Sequence, residues 1–248
     1  VTVREADINP VLYVSMDGSK VAPRRTVVKR DNCNACHLDL GNPAGISLHG
    51  GVRRNTEYCI LCHNPNLTDE SRRLARGGEM PPESLHYKYL IHSLHMGEER
   101  EVATRFGTRA NTENVFFPTP GEQRNCAKCH EGLSYTLPLP AGVLPTTVTQ
   151  AGKVISVTQP IASACRACHI GQTGFDAHAD TMTSAKYGEA CANCHAGFGT
   201  CFSSQSSRSG RFTALLTCAL IARTAPARWT TPAQSSRRRA IGSRRVSH

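Results

Sequence analysis

The sequence predicts a fold of loops and short α-helices packed around bulky material that is not polypeptide, with a few β-strands near the N-terminus. Three observations point there. A pattern of five residues, Cys-x-x-Cys-His, returns five times between residues 33 and 195. Apolar residues make up 39% of the 248 and aromatics 6%, a little thin for a core of this length. Between the motifs, long runs of helical or alternating periodicity are scarce.

In chain order, residues 1–30 hold two β-leaning runs, "VLYVSM" and "RTVVK", separated by "DGSK" and "APRR". They read as the end of a strand-rich domain. Residues 31–198 form the motif-bearing domain. Its best predicted helix is "PPESLHYKYLIHSLHMG" at 81–97, opened by two prolines, favoured by Glu83 in the first turn and stopped by Gly97. "TTVTQAGKVISVT" at 146–158 predicts a small hairpin turning at "QAG". From about Gly199 the composition shifts to Ser, Arg, Ala and Thr without Lys, Asp or Glu. Residues 199–248 therefore read as a low-complexity basic tail, disordered or non-native.

Charge placement excludes a nucleic-acid surface. The net charge is +10, but nine arginines follow His195, and without them 20 basic residues face 19 acidic ones. The body is nearly neutral, whereas nucleic-acid binding needs basic residues built into the fold. The longest apolar-leaning run, "FTALLTCALIA", is shorter than the roughly 20 residues of a membrane span. No leader is visible at Val1, as expected of a mature chain or a fragment.

The motif copies are Cys33, Cys36, His37; Cys59, Cys62, His63; Cys126, Cys129, His130; Cys165, Cys168, His169; and Cys191, Cys194, His195. They use ten of the twelve cysteines, leaving Cys201 and Cys218 in the tail. This is the pattern of covalent c-type haem. Two thioethers join the cysteine sulfurs to the vinyl edge of a porphyrin, and the next histidine falls beneath the ring to bind iron. Zinc sites also use Cys-x-x-Cys pairs, but zinc has no reason to demand histidine after every pair. Thioredoxin-like dithiols occur singly, in a strand–helix context that is missing here. The expected cofactors are five covalently bound c-type haems, whose apolar bodies make up for the thin core.

Haems that only carry electrons are usually capped on both faces. Beyond the five proximal histidines stand His49, His86, His92, His95, His178 and His248. Setting aside His248 in the tail leaves five candidates for five irons. His92 and His95, three apart in "LIHSLHMG", lie on neighbouring sides of one helix and can reach two different haems. His49 sits beside two glycines that let backbone approach a flat ring. His178 lies between the fourth and fifth motifs. His86, continued in the same helix, points roughly opposite to His95 and could serve a third haem or face water. Of the methionines, only Met96 lies near a ligand cluster, where it packs on a haem face.

In this order, "VAPRRTVVKRDNCNACH", "LHGGVRRNTEYCILCHNPNLTD", "LIHSLHMGEE", "NCAKCHEG" and "CRACH…AHAD…CANCH" resemble one pentahaem half of the outer-membrane decahaem cytochromes of the OmcA/MtrC family, over about residues 21–197. The resemblance implies a multihaem cytochrome c fold, haems close-packed in a crossing arrangement, and distal roles for His49, His92, His95 and His178. It also implies export to the periplasm or the outer-membrane surface. The implied partners are other multihaem cytochromes or a porin–cytochrome conduit, with extracellular metal oxides or soluble shuttles as acceptors. A histidine frequent in the family soon after the last motif is missing here, where "HAGFGTCFSSQ" leads into the tail.

The function expected is electron transfer through a chain of haems, with no catalytic acid, base or nucleophile. The alternative is a multihaem reductase of a small nitrogen or sulfur oxyanion. That chemistry needs an open iron and converging acid–base groups.

Overall fold

A computed structural model describes residues 8–41, 49–107, 110–118 and 122–196. The predicted basic tail, with Cys201, Cys218 and His248, lies outside the described residues. The α-helices are short: α1 (Arg30–His37), α2 (Thr56–Cys62), α3 (Glu70–Ala75), α4 (Tyr87–Met96), α5 (Pro160–His169), α6 (Phe175–Thr181) and α7 (Ala192–His195). Among the described residues the strands form three separate antiparallel pairs: β1 (Arg105–Phe106) with β2 (Ala110–Asn111), β3 (Thr146–Gln150) with β4 (Lys153–Thr158), and β5 (Thr183–Ser184) with β6 (Gly188–Glu189).

The β3–β4 hairpin turns where the sequence places it. Ala151 and Gly152 both take positive φ, 50° and 75°, the left-handed geometry of a tight two-residue turn. The expected N-terminal strands are a correction. Among residues 8–29 neither β-leaning run forms a strand; Val28 makes an isolated bridge to His130, and the rest is irregular. A strand exists only as part of a ladder, and among the described residues these runs find none. The second run is held by its backbone, the Val27 carbonyl accepting from the Glu131 N–H at 2.8 Å, and the first run and its approach by side chains. Asn9 donates to the Val52 carbonyl at 3.0 Å and accepts from the Arg54 N–H at 2.8 Å, and the Tyr13 hydroxyl donates to Glu57 at 2.9 Å.

The helix expected over 81–97 is also corrected: α4 begins at Tyr87. Residues 83–85 pair with 67–69 instead, through Asp69 N–H to the Glu83 carbonyl (3.0 Å), Leu85 N–H to the Leu67 carbonyl (2.8 Å) and a bridge between Thr68 and Ser84. That pairing uses backbone groups a helix would need. His86 therefore caps the helix rather than lying inside it, so the helical argument for its direction falls. The helix stops at Gly97 as expected; its φ is 58°, and a Cβ there would stand 2.2 Å from the Val115 carbonyl oxygen.

The apolar core is small. Tyr89 and Leu90 of α4, Phe106 of β1 and Ala167 of α5 are buried together, with Leu85 and Leu94 packed against them. Ala167 is 0% exposed, which lets α4 and α5 approach closely enough for the Ser93 hydroxyl to reach the Ala167 carbonyl at 3.4 Å. Beside this core, the Asp69 carboxylate accepts from Arg73 Nε at 3.0 Å, Glu83 N–H at 2.8 Å and Gly107 N–H at 2.6 Å. Arg73 also reaches the Glu79 carbonyl at 3.1 Å. This buried node ties α3, the entry to α4 and the β1–β2 turn together.

Candidate haem site

Four motifs end a helix or lie at its edge: the first in α1, the second in α2 with His63 as its cap, the fourth in α5 and the fifth in α7. The third forms a 3-10 turn at Cys126–Lys128. In a helix, positions i and i+3 share a face and i+4 follows on the next turn, so both thiols and the histidine project to one side. None of the ten motif cysteines is joined to another in a disulfide. Burial pushes the Cys33 thiol up to about 11, Cys165 to about 12 and Cys168 to about 11. A thiol held up by burial is the opposite of the activated thiolate of a dithiol oxidoreductase. Among the described residues no three His, Cys, Asp or Glu side chains converge as a metal cluster, so a closed tetrahedral zinc site is not assembled.

What the fold assembles instead is facing imidazoles. His37 stands opposite His95 with ring centroids 5.9 Å apart, His49 opposite His63 at 6.0 Å, His92 opposite His130 at 6.1 Å and His178 opposite His195 at 6.3 Å. Each pair joins one motif histidine to one histidine from elsewhere. A metal between two imidazoles needs about 2 Å to each nitrogen and about 1 Å more to each ring centre, so roughly 6 Å in all. The four spacings fit that requirement, and a haem would supply the remaining ligands from its ring. The spacing of the paired histidines therefore fits an iron between them, and the motif cysteines are the residue type that c-type haem attachment needs.

Hydrogen bonds aim the rings. His63 Nδ1 lies 2.8 Å from the Leu85 carbonyl and His95 Nδ1 2.9 Å from the Ile91 carbonyl. A carbonyl only accepts, so the proton sits on Nδ1 and Nε2 keeps its lone pair for a metal. His130 Nδ1 meets the Ser134 hydroxyl at 3.1 Å, and that hydroxyl donates its own proton to the Val27 carbonyl at 2.8 Å. Ser134 must therefore accept, which sets the same tautomer. Burial, with a smaller contribution from the neighbouring imidazole, lowers the proton affinity of several rings. Burial, then the facing His130, lowers His92 to about 4. Burial, then the facing His95, lowers His37, and burial, then His178, lowers His195.

Two candidates stand apart. His169 has Nδ1 on Gln172 Oε1 at 2.7 Å, and the ring stacked beside it is Phe175, 5.7 Å away and 19° from parallel. His86 turns Nδ1 to the Thr146 hydroxyl at 2.7 Å, and that hydroxyl is 2.6 Å from Ser163 on α5. The four pairs leave His86 out. Sequence reasoning missed the groups that aim the rings. Ser134 and Gln172, four and three residues after their histidines, were within reach of a local reading. The Leu85 carbonyl, supplied by the 67–69/83–85 pairing, was not.

The attachment sites adjoin one another. The Asn32 side chain donates to the Cys129 carbonyl at 3.1 Å, and the Cys33 thiol lies within electrostatic reach of Cys129 and Cys59. Cys165 feels Cys191 first and also Cys126. Glu189, two residues before the fifth motif, accepts the Ile161 and Ala162 N–H groups at 2.8 and 2.6 Å and so caps the helix of the fourth. α4 carries both His92, facing the third motif, and His95, facing the first.

No described helix is long and apolar enough to cross a membrane. No curated protein and no solved structure matches the chain. A family model described as outer membrane cytochrome MtrC/MtrF-like, domains II/IV, matches residues 25–209 and so spans every motif and every facing pair. With that match beside the tethers and aimed imidazoles, the chain belongs to the MtrC/MtrF-like outer membrane cytochromes, exported electron-transfer proteins of the cell surface that carry c-type haem.

Proposed function

We propose that residues 31–198 form a five-haem electron-transfer domain. Cys33, Cys36, Cys59, Cys62, Cys126, Cys129, Cys165, Cys168, Cys191 and Cys194 hold the porphyrins as thioethers. His37, His63, His130, His169 and His195 grip the irons from one side. His95, His49, His92 and His178 close the other side of four of them. The observation that carries this reading is the set of four imidazole pairs 5.9–6.3 Å apart, each using one motif histidine.

Haem iron, when bound, supplies a reversible one-electron couple. The chain's own residues do the rest. The Leu85 and Ile91 carbonyls and Ser134 hold the Nδ1 protons and so present Nε2 to the metal. Two imidazoles per iron favour low potentials and shut out substrate on both faces. The hydrogen bonds from Asn32 to the Cys129 carbonyl and from the start of α5 to Glu189 support neighbouring first and third motifs and neighbouring fourth and fifth motifs. Electrons would enter from another multihaem cytochrome or a porin–cytochrome conduit and leave to extracellular metal oxides or soluble shuttles.

The test is maturation of the full chain in a host with haem-attachment machinery. Intact mass should show five haem additions, and the oxidised protein should be dominated by low-spin bis-imidazole signals. A colourless product of bare polypeptide mass would end this reading. So would a product with five haems of which most are high-spin.

A further inference from the structure

The start of α5 needs acceptors that its own first turn does not supply. Pro160 has no N–H, the Ser163 N–H goes to the Gln159 carbonyl at 2.8 Å, and the Gln159 side chain makes no cap bond. The two other N–H groups of that turn, on Ile161 and Ala162, go to the two oxygens of the Glu189 carboxylate at 2.8 and 2.6 Å. A carboxylate holding two N–H groups at a helix N-terminus makes charge-assisted bonds, stronger than neutral ones and favoured by the helix dipole. Glu189 is itself held in place. It ends β6, pairs with Thr183 of β5, and is followed by the Ala190 N–H bonded to the Met182 carbonyl at 2.8 Å. This hairpin comes from α6, which carries His178, and leads two residues later into Cys191 of the fifth motif. One side chain therefore ties the helix of the fourth motif to the segment that carries both imidazoles of the fifth, His178 and His195, 6.3 Å apart. The Cys165 and Cys191 thiols, one from each motif, lie within electrostatic reach of the same carboxylate.

We propose that Glu189 is a positioning residue shared by the fourth and fifth haems, fixing their attachment sites against each other and setting a negative charge beside both. This deepens the electron-transfer reading and rests on these two motifs carrying haem. Electron tunnelling falls steeply with the gap between ring edges, so a clamp between neighbouring attachment sites holds that gap constant. The charge acts on both irons in the same sense. A nearby carboxylate favours the ferric state, which carries one more positive charge than the ferrous, and so lowers both potentials. Glu189 acts through α5 and the β5–β6 hairpin, not by touching iron.

The experiment is a redox titration of the haem-loaded full chain, with the spin–spin interaction between haems read from the low-spin signals of the oxidised protein. Glu189→Gln keeps one acceptor oxygen and removes the charge; Glu189→Ala removes both. In Glu189→Gln two of the five potentials should rise together while three stay. In Glu189→Ala the same two should rise, and the interaction between that pair of haems should change as the clamp is lost. Five loaded haems with no potential moved, or only one, overturn this inference alone and leave the electron-transfer reading standing. An equal rise of all five also overturns it, because the carboxylate would then belong to the general field and not to two haems. An unchanged interaction in Glu189→Ala overturns the clamp. If Glu189→Ala does not fold, the potentials of Glu189→Gln decide. A native chain whose peptides bearing the fourth and fifth motifs weigh no more than bare polypeptide overturns the electron-transfer reading as well.

Discussion

Replacing Ser134 by alanine removes one acceptor and nothing else that touches a ring. In the native chain the Ser134 hydroxyl gives its proton to the Val27 carbonyl at 2.8 Å and accepts the His130 Nδ1 proton at 3.1 Å. That bond draws the proton away from the ring, makes the imidazole a stronger donor and favours ferric over ferrous iron. A neutral hydrogen bond of this kind contributes about 1 kcal/mol net. A tenfold change in equilibrium is about 1.4 kcal/mol or about 59 mV for one electron, so full expression in the redox difference is about 40 mV. Ser134→Ala should therefore raise the potential of the haem proposed to sit between His130 and His92 by up to about 40 mV. Ser134→Thr, which keeps the hydroxyl, should stay close to the native value. The assay is a redox titration of the loaded protein resolved by its low-spin signals. A fall in potential, or no shift in any haem while the fold is intact, would refute the argument that Ser134 sets the tautomer.

The Asp69–Arg73 node predicts a large stability effect, because Asp69 is 1% exposed and Arg73 7%. Asp69→Ala leaves a buried guanidinium uncompensated, which costs about 3–5 kcal/mol and lowers the melting temperature by roughly 10 °C. Adding Arg73→Met should recover part of the loss in thermal unfolding; strict additivity would show that the two do not act as a pair. Glu83 predicts a pH dependence. It lines a small polar cavity with Tyr89, Thr146, Ser163 and Arg166, and burial raises its carboxyl above the ordinary 4.5 although Arg73, Arg100 and Arg166 pull it down and only Asp69 adds to the rise. A raised folded value means that the folded state holds the proton more tightly than the unfolded chain. Its contribution is complete below 4.5 and is lost as pH climbs through the folded value. Denaturant titrations across that window should show a decline that Glu83→Gln flattens; an unchanged slope in the variant would place the titration elsewhere.

The chemistry proposed for the site was read from the linear order of residues because it is local. Covalent attachment needs two thiols and an imidazole within one turn of chain, so "CNACH" and its four repeats carry the information in five consecutive positions. His92 and His95 were readable for a similar reason, since three residues in a helix give two neighbouring directions. The hairpin at 146–158 followed from its turn residues. Which imidazole faces which was not readable. His37 and His95 are far apart in sequence, and so are His92 and His130, and only the packing of α4 across the first and third motifs brings each pair to about 6 Å. The start of α4 was likewise decided at a distance, where Leu67 and Asp69 claimed the backbone of Glu83 and Leu85 and pulled His86 out of the helix. Motif identity is written in covalent spacing and survives any fold. Ring pairing, proton placement and the different surroundings of His169 depend on contacts between distant segments, which exist only once the chain has closed on itself.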